Sequence, residues 1–249
     1  MEYNKFVDLS KSYLFCQLKR NEHTRSESYH PGILPFITIS REAGTGESAI
    51  TNSLLEDLSV KQTAGELPWT LYDKDLIKRV VDDYHLTNIN GLLPEDKFSD
   101  IQTMFEELFG IHPTKREMAH NIAKSILKLA DLGNVIIVGR GAFYITRHHK
   151  NGLHVRLIGS LQKRVKHMVD EYSLTLKQAE EYIRKEDSQR HDYVKKLFGV
   201  DLNDPHYYDL VINTDRVAPQ EIIALIAERT ELLKEKLACR YHSEELTAV

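Results

Sequence analysis

Short β-branched, apolar runs alternate along this chain with segments whose apolar residues recur every three or four positions. FITIS at 36–40 predicts a buried strand, and LPWTLYD at 67–73, NVIIVG at 134–139, HVRLIG at 154–159 and DLVINT at 209–214 predict four more. Between the first two, Ile50, Leu54, Leu55 and Leu58 fall on one face of a helix. Further helices are expected over 73–84, from Pro113 to a stop at Gly133, and over 160–172. Thr175 with Gln178 forms a capping-box pattern ahead of a helix through Asp187, and Pro219 begins a last helix running to about Arg240. The tail at 242–249 is expected to fray. Strands alternating with helices predict an α/β fold, a parallel sheet with helices on both faces and right-handed crossovers.

Two segments stand outside this alternation. Residues 1–33 carry Phe6, Leu9, Tyr13, Leu14 and Cys16 at loosely helical spacing, then a polar stretch ending in Pro31-Gly32, and read as a helical appendage with a linker. Residues 90–112 read as a helical excursion carrying Phe105, Leu108 and Phe109. The core unit is therefore expected over 34–240.

Composition narrows the function classes. A chain of 249 residues suits one α/β domain with or without an insert, and 41% hydrophobic with 28% charged residues is ordinary for a soluble protein. A net charge of −4 argues against a nucleic-acid polymer or an anionic membrane as partner, so any anion must be held by a local cluster of cations. Lacking an apolar run of roughly 18 residues or a secretory leader pattern, the chain is expected in the cytoplasm. Cys16 and Cys239 are expected as free thiols. The histidines, His148 and His149 among them, show no metal-ligand spacing, and no G-x-S-x-G elbow occurs.

The strongest chemical signal is the loop REAGTGES, between the first strand and its helix. Glycines let successive backbone N–H groups turn inward, and a helix N-terminus adds partial positive charge, so this is where an anion site belongs. Against the phosphate-loop pattern G-x-x-x-x-G-K-[ST], Gly46 takes the second glycine, Arg41 the first, Glu47 the lysine and Ser48 the hydroxyl position. Gly44, Thr45 and Gly46 complete the candidate cradle, and Ser48 offers a hydroxyl for Mg²⁺. The turn by itself equally suits a tight strand-to-helix connection. Glu47 either points outward, as a favourable acid at a helix start, or faces the phosphates while Arg41 supplies the missing charge.

Other candidates lie at the carboxyl ends of strands, where open α/β sheets bind ligands. Asp73 follows the second strand and offers hydrogen bonds to a ribose or base; helix capping is its alternative. Arg140, between two glycines after the third strand, suits a phosphate. In the charged helix, Asp187 and Arg190 share a face, with Arg184 and Lys195 also placed to reach the crevice. A solvated charged face is the alternative for each.

Four ordered segments, ITISREAGTG, YDKDLI, VIIVGRGAFYI and the set RVKHM–EDSQR–YDLVINT, together resemble the cytidylate kinase-like family of P-loop nucleoside monophosphate kinases. The resemblance spans roughly 35–230. It implies a three-layer P-loop fold with five parallel strands, a helical lid over about 183–205, and γ-phosphoryl transfer from Mg-ATP to CMP or dCMP. It implies acceptor binding by Arg140 and Asp73, and a lid Asp-x-x-Arg at Asp187 and Arg190; for such a kinase, Arg184 of the same charged helix is expected to join Arg190 over the phosphates as a catalytic cation. The chain departs from the better-known cytidylate kinases at Glu47, where they keep lysine, and from the glycine-then-arginine common in this branch. Two other functions follow from that departure and from the extra segments: a nucleotide-binding protein without turnover, with a regulatory or partner-binding role, and an interaction scaffold.

Overall fold

The computed structural model describes residues 34–62, 67–73, 123 and 126–247, with side chains through 239. The appendage over 1–33, the helix expected over 73–84 and the excursion over 90–112 lie outside the described residues, apart from Asp73 itself.

Five strands form one sheet: β1 (Phe36–Arg41), β2 (Thr70–Tyr72), β3 (Val135–Val138), β4 (Gly152–Ile158) and β5 (Leu210–Asn213). Their order is β2-β3-β1-β4-β5, and every pairing is parallel. β1 is central: Ile37 lies level with Ile136 on one side and Leu153 on the other. Such centrality explains why its first five residues are all buried, Thr38 and Ser40 with the three apolar ones, since neither face nor either edge meets water.

The period-two alternation sorts side chains between the faces. Ile37, Ile39, Ile136, Val138, Leu153, Val155 and Leu157 pack against α1 (Glu47–Val60) and the last helix, α6 (Pro219–Thr247). Leu54 of α1 and Ile226 of α6 are fully buried there; each such side chain contributes roughly 1.5–3 kcal/mol by leaving water. On the opposite face, Phe36, Tyr72, Val135 and Ile137 meet Ile126 and Ala130 of α2, the helical stretch 126–132. The sheet thus sits between two helical layers, and five parallel strands confirm the expected three-layer α/β architecture.

Three further α-helices occur among the described residues. α3 (Ala142–Ile145) is one turn after β3. α4 (Leu161–Tyr172) is capped by Ser160, whose Oγ accepts the Lys163 N–H. α5 (Leu176–Phe198) opens on the capping box of Thr175 and Gln178. Its N-terminal half packs Ala179 and Ile183 against Val165 and Met168 of α4, and its C-terminal half packs Val194 against Phe143 of α3. α5 therefore spans from one side of the sheet's carboxyl end to the other and lies across the β1 loop.

Two boundaries differ from expectation. The helix expected through Asp187 continues to Phe198, through much of the stretch 183–205 expected as a helical lid, until Gly199 (φ +74°) ends it. α6 continues to Thr247 where a frayed tail was expected. Its apolar spacing holds through Leu237, and nothing in 241–247 breaks a helix.

Candidate active site

The loop 42–46 leaves β1 and enters α1 through two left-handed glycines, Gly44 (φ +81°) and Gly46 (φ +74°). Gly44 has a second reason to be glycine: a Cβ there would lie 2.9 Å from the Arg164 carbonyl oxygen. Arg164 of α4 ties the loop down from behind. Its Nη1 donates to the Ala43 carbonyl at 2.8 Å and to Asp187 Oδ2 at 2.7 Å, and its Nε donates to the Gly159 carbonyl at 2.9 Å. Asp187 Oδ1 accepts the Ala43 N–H at 2.7 Å, and Glu42 Oε2 accepts the Gly159 N–H at 2.9 Å. Thr45 Oγ1 donates to the Glu42 carbonyl. Asp187 thus holds the loop's shape, and α5 carries that support. Gly46 provides no side-chain cap, so the first-turn N–H groups of α1 lack the partner a capping side chain would give them.

Glu47 does not point outward. Arg41 Nε donates to Glu47 Oε2 at 3.0 Å, with both side chains under one-fifth exposed. Arg41 does reach back over the loop, as one of the two alternatives expected, and Glu47 engages it there. Glycine at 139 makes room for that guanidinium, since a Cβ would stand 2.7 Å from Arg41 Nη1.

Arg190 comes from α5 to the same place. Its Nη1 donates to the Arg41 carbonyl at 3.2 Å, and its Nη2 to Glu186 Oε2 at 3.4 Å. Burial first, and the charge of Arg41 second, press its pKa below the usual guanidinium range. Two cations thus lie together against their own repulsion, each with an acid beside it, Glu47 at Arg41 and Glu186 at Arg190.

Beside them opens a cavity of about 280 Å³, lined by Ser40, Arg41, Arg140, Glu186, Arg190 and Tyr193 among others. Arg140 (φ +55°) sits between Gly139 (φ +76°) and Gly141 (φ +70°), a left-handed run that turns the chain sharply off β3. Burial raises the Tyr193 hydroxyl's pKa, and Arg140's charge opposes that shift. Asp73 follows Tyr72, which pairs with Ile137, so it reaches the same sheet edge as Gly139 and Arg140.

The structure brings Arg41, Gly44, Gly46, Glu47, Arg140, Asp187 and Arg190 to one end of the sheet, around one loop and one cavity. Two expected cations are placed elsewhere. Arg184 donates twice to Glu180, at 2.9 and 2.7 Å, on the exposed face of α5, one helical turn from its partner. Lys195 donates to the Gly199 carbonyl at the helix end. Ser48 is exposed in the first turn of α1. Its hydroxyl is the oxygen donor a hard cation takes when phosphates and waters complete the shell. Among the described residues no cluster of His, Cys, Asp or Glu is arranged to hold a metal alone. Sequence reasoning missed Arg164, Glu42, Glu186 and Tyr193. Arg164 carried a signal, a cation on the buried stripe with Val165 and Met168.

A family model described as the cytidylate kinase-like family matches residues 36–216. The cytidylate kinase of Pyrococcus horikoshii is 23% identical over 190 residues, 76% of this chain and 85% of the relative. That of Pyrococcus abyssi is 22% identical over 201 residues, 81% of this chain and 96% of the relative. That of Sulfurisphaera tokodaii is 27% identical over 192 residues, 77% of this chain and 92% of the relative. Among solved structures, an uncharacterized protein from Eubacterium ventriosum superposes with a TM-score of 0.58 at 20% identity, over 79% of this chain and 98% of that one. That likeness shows the fold. No helix among the described residues is long and apolar enough to cross a membrane.

Proposed function

The chain belongs to the cytidylate kinase-like family, and on that premise we propose that it transfers the γ-phosphoryl group of ATP to a nucleoside monophosphate, CMP or dCMP. The carrying observation is the convergence of Arg41 and Arg190 at the junction between the loop 42–46 and the Arg140 cavity. The triphosphate lies along the loop, on its N–H groups and the start of α1. The acceptor lies in the cavity, its phosphate on the Arg140 guanidinium and its sugar or base toward Asp73. Between the two, an acceptor phosphate oxygen bonds to the γ-phosphorus as the bond to the β,γ-bridging oxygen breaks, and ADP leaves with that oxygen. Arg41 and Arg190 stand where the transferring group's charge spreads, so positioning and electrostatics carry the rate with no strong base.

Asp187 is a positioning residue in this scheme, acting through Ala43 and Arg164. Arg184, turned to Glu180, takes no part. Ser48 would offer its hydroxyl oxygen to an ATP-bound Mg²⁺, which would supply charge neutralisation on the phosphates. The kinetic test separates the roles. Arg140→Ala is expected to raise the acceptor KM at least tenfold and leave the ATP KM within about threefold. Arg190→Ala is expected to lower kcat by two orders of magnitude or more. Equal effects of Arg140→Ala on both KM values would refute this division of the site.

A second reading has its own observation. Glu47 already occupies Arg41, and a carboxylate about 4 Å from a phosphate oxygen at an effective dielectric near 20 repels it by roughly 4 kcal/mol before screening. A protein that binds nucleotide and signals by it, without turnover, fits that pair. Nucleotide binding with no turnover of any acceptor would select this reading.

A further inference from the structure

The inner stripe of α6, with Ile222, Ile226, Leu233 and Leu237, is buried in the core against the sheet. Leu225 and Leu232 lie on its outer face, 47% and 52% exposed, and Cys239 is exposed seven residues further on. An isolated exposed leucine is ordinary. Here a spacing of seven, on a helix of about 3.6 residues per turn, sets the three side chains nearly in one line. That line has an edge of each sign. Glu228 and Glu235 border it on one side, and Arg229 and Lys236 on the other. None of these four has an opposite charge three or four residues away in α6, and among the described residues none forms an ion pair.

A partner for this face must set cations along the acidic edge and acids along the basic one. α6 itself meets that requirement. Two copies laid parallel, about a two-fold axis that runs along the helices, stack Leu225, Leu232 and Cys239 on their counterparts. The same operation brings the basic edge of each helix against the acidic edge of the other. Arg229 then faces Glu228 of the second copy and Lys236 faces Glu235 of the second copy, and each pair occurs twice. An antiparallel pair sets acid against acid and cation against cation, which is unfavourable. The layout of charges therefore selects one direction of pairing.

We propose that α6 joins two copies of this chain in a parallel, two-fold symmetric dimer along the line of Leu225, Leu232 and Cys239. One pair of helices in contact over about four turns buries less than the ~1,200 Å² of a standard interface, so the association is micromolar rather than tight. The dimer needs neither nucleotide nor turnover, so a failed kinase assay leaves it standing.

The test is sedimentation equilibrium of the whole chain over about 1 to 100 µM. A monomer–dimer equilibrium is expected, weakened at least tenfold by Leu232→Glu and by Arg229→Glu combined with Lys236→Glu. Adding Glu228→Arg and Glu235→Lys to that combination exchanges the two edges and is expected to restore association. Cys16→Ser leaves Cys239 as the one cysteine. In that variant diamide, which takes up the two thiol hydrogens, is expected to give a disulfide-linked dimer, and Leu232→Glu to suppress it. An antiparallel pair centred on Leu232 would hold the two thiols about 20 Å apart, beyond any disulfide. A monomer at every concentration overturns the proposal; if Leu232→Glu also lowers its denaturant midpoint, another segment of the same chain covers the line. A dimer indifferent to Leu232→Glu overturns it too, because the contact then lies on another face. So does a dimer that Leu232→Glu breaks while Cys239 fails to link, because the helices then do not run parallel.

Discussion

Arg41 Nε and Glu47 Oε2 stand 3.0 Å apart at the mouth of the loop 42–46, so the cation that reaches over the loop is answered by the acid at the start of α1. An incoming triphosphate must compete with that carboxylate for Arg41. Replacement of Glu47 by Lys removes the competitor and adds a charge of the favourable sign. ATP is expected to bind about tenfold tighter to Glu47→Lys, a gain of about 1.4 kcal/mol, by calorimetry. Both side chains of the pair are largely buried, so the denaturant midpoint of the variant is measured beside the titration. Unchanged ATP affinity would mean that the phosphates do not approach Glu47.

Arg164 is the strut behind the loop, and its loss would leave Asp187 and Glu42 facing one another without a cation. Arg164→Met is expected to cost roughly 2–4 kcal/mol, discounted for the partial exposure of Asp187, and to lower the denaturant midpoint with no change in slope. Asp187→Ala on that background should cost less than on the wild type, with a coupling of about 1–2 kcal/mol. Additive losses would show that the two residues do not act as one clamp.

His154 gives the fold a pH dependence. Its ring lies inside the sheet's second face, 2.8 Å from Thr38 Oγ1, and burial presses its pKa below 6.5 against the opposing pull of Asp209. The native state therefore holds this ring neutral where the unfolded chain takes up a proton. Below pH 6.5 the unfolded state binds more protons, so stability falls as pH falls, by up to about 1.4 kcal/mol per pH unit. His154→Gln is expected to lose that component. Urea unfolding at pH 7.5 and 5.5 should show a larger drop in wild type than in the variant, and equal drops would count against a neutral buried ring.

Fold and site were legible in the sequence to different depths. The strand runs carried the sheet, because β1, β3 and β4 are buried on both faces: β3 writes that burial as unbroken Val and Ile, and β1 and β4 as apolar residues interrupted by Thr38, Ser40, His154 and Arg156. Loop geometry was legible through Gly44 and Gly46, whose positive φ few other residues adopt. The direction of Glu47 was not, since it depends on where Arg41 lands, and that depends on Gly139 from another strand. Arg184 and Arg190 look alike in a charged helix, and only the packing of Ile183 and Val194 fixes which one faces the sheet. Arg164 and Arg156 were passed over because a buried arginine and an exposed one carry the same letter. Their partners, Asp187 and Asn203, are 23 and 47 residues away.

The most direct measurement is turnover by the purified chain with Mg-ATP and a panel of nucleoside monophosphates, following ADP release and the diphosphate product. The account predicts phosphorylation of CMP or dCMP above the other acceptors, lost in Arg190→Ala. ATP that binds while no acceptor is phosphorylated would contradict the transfer reaction, and failure to bind ATP at all would contradict the site itself.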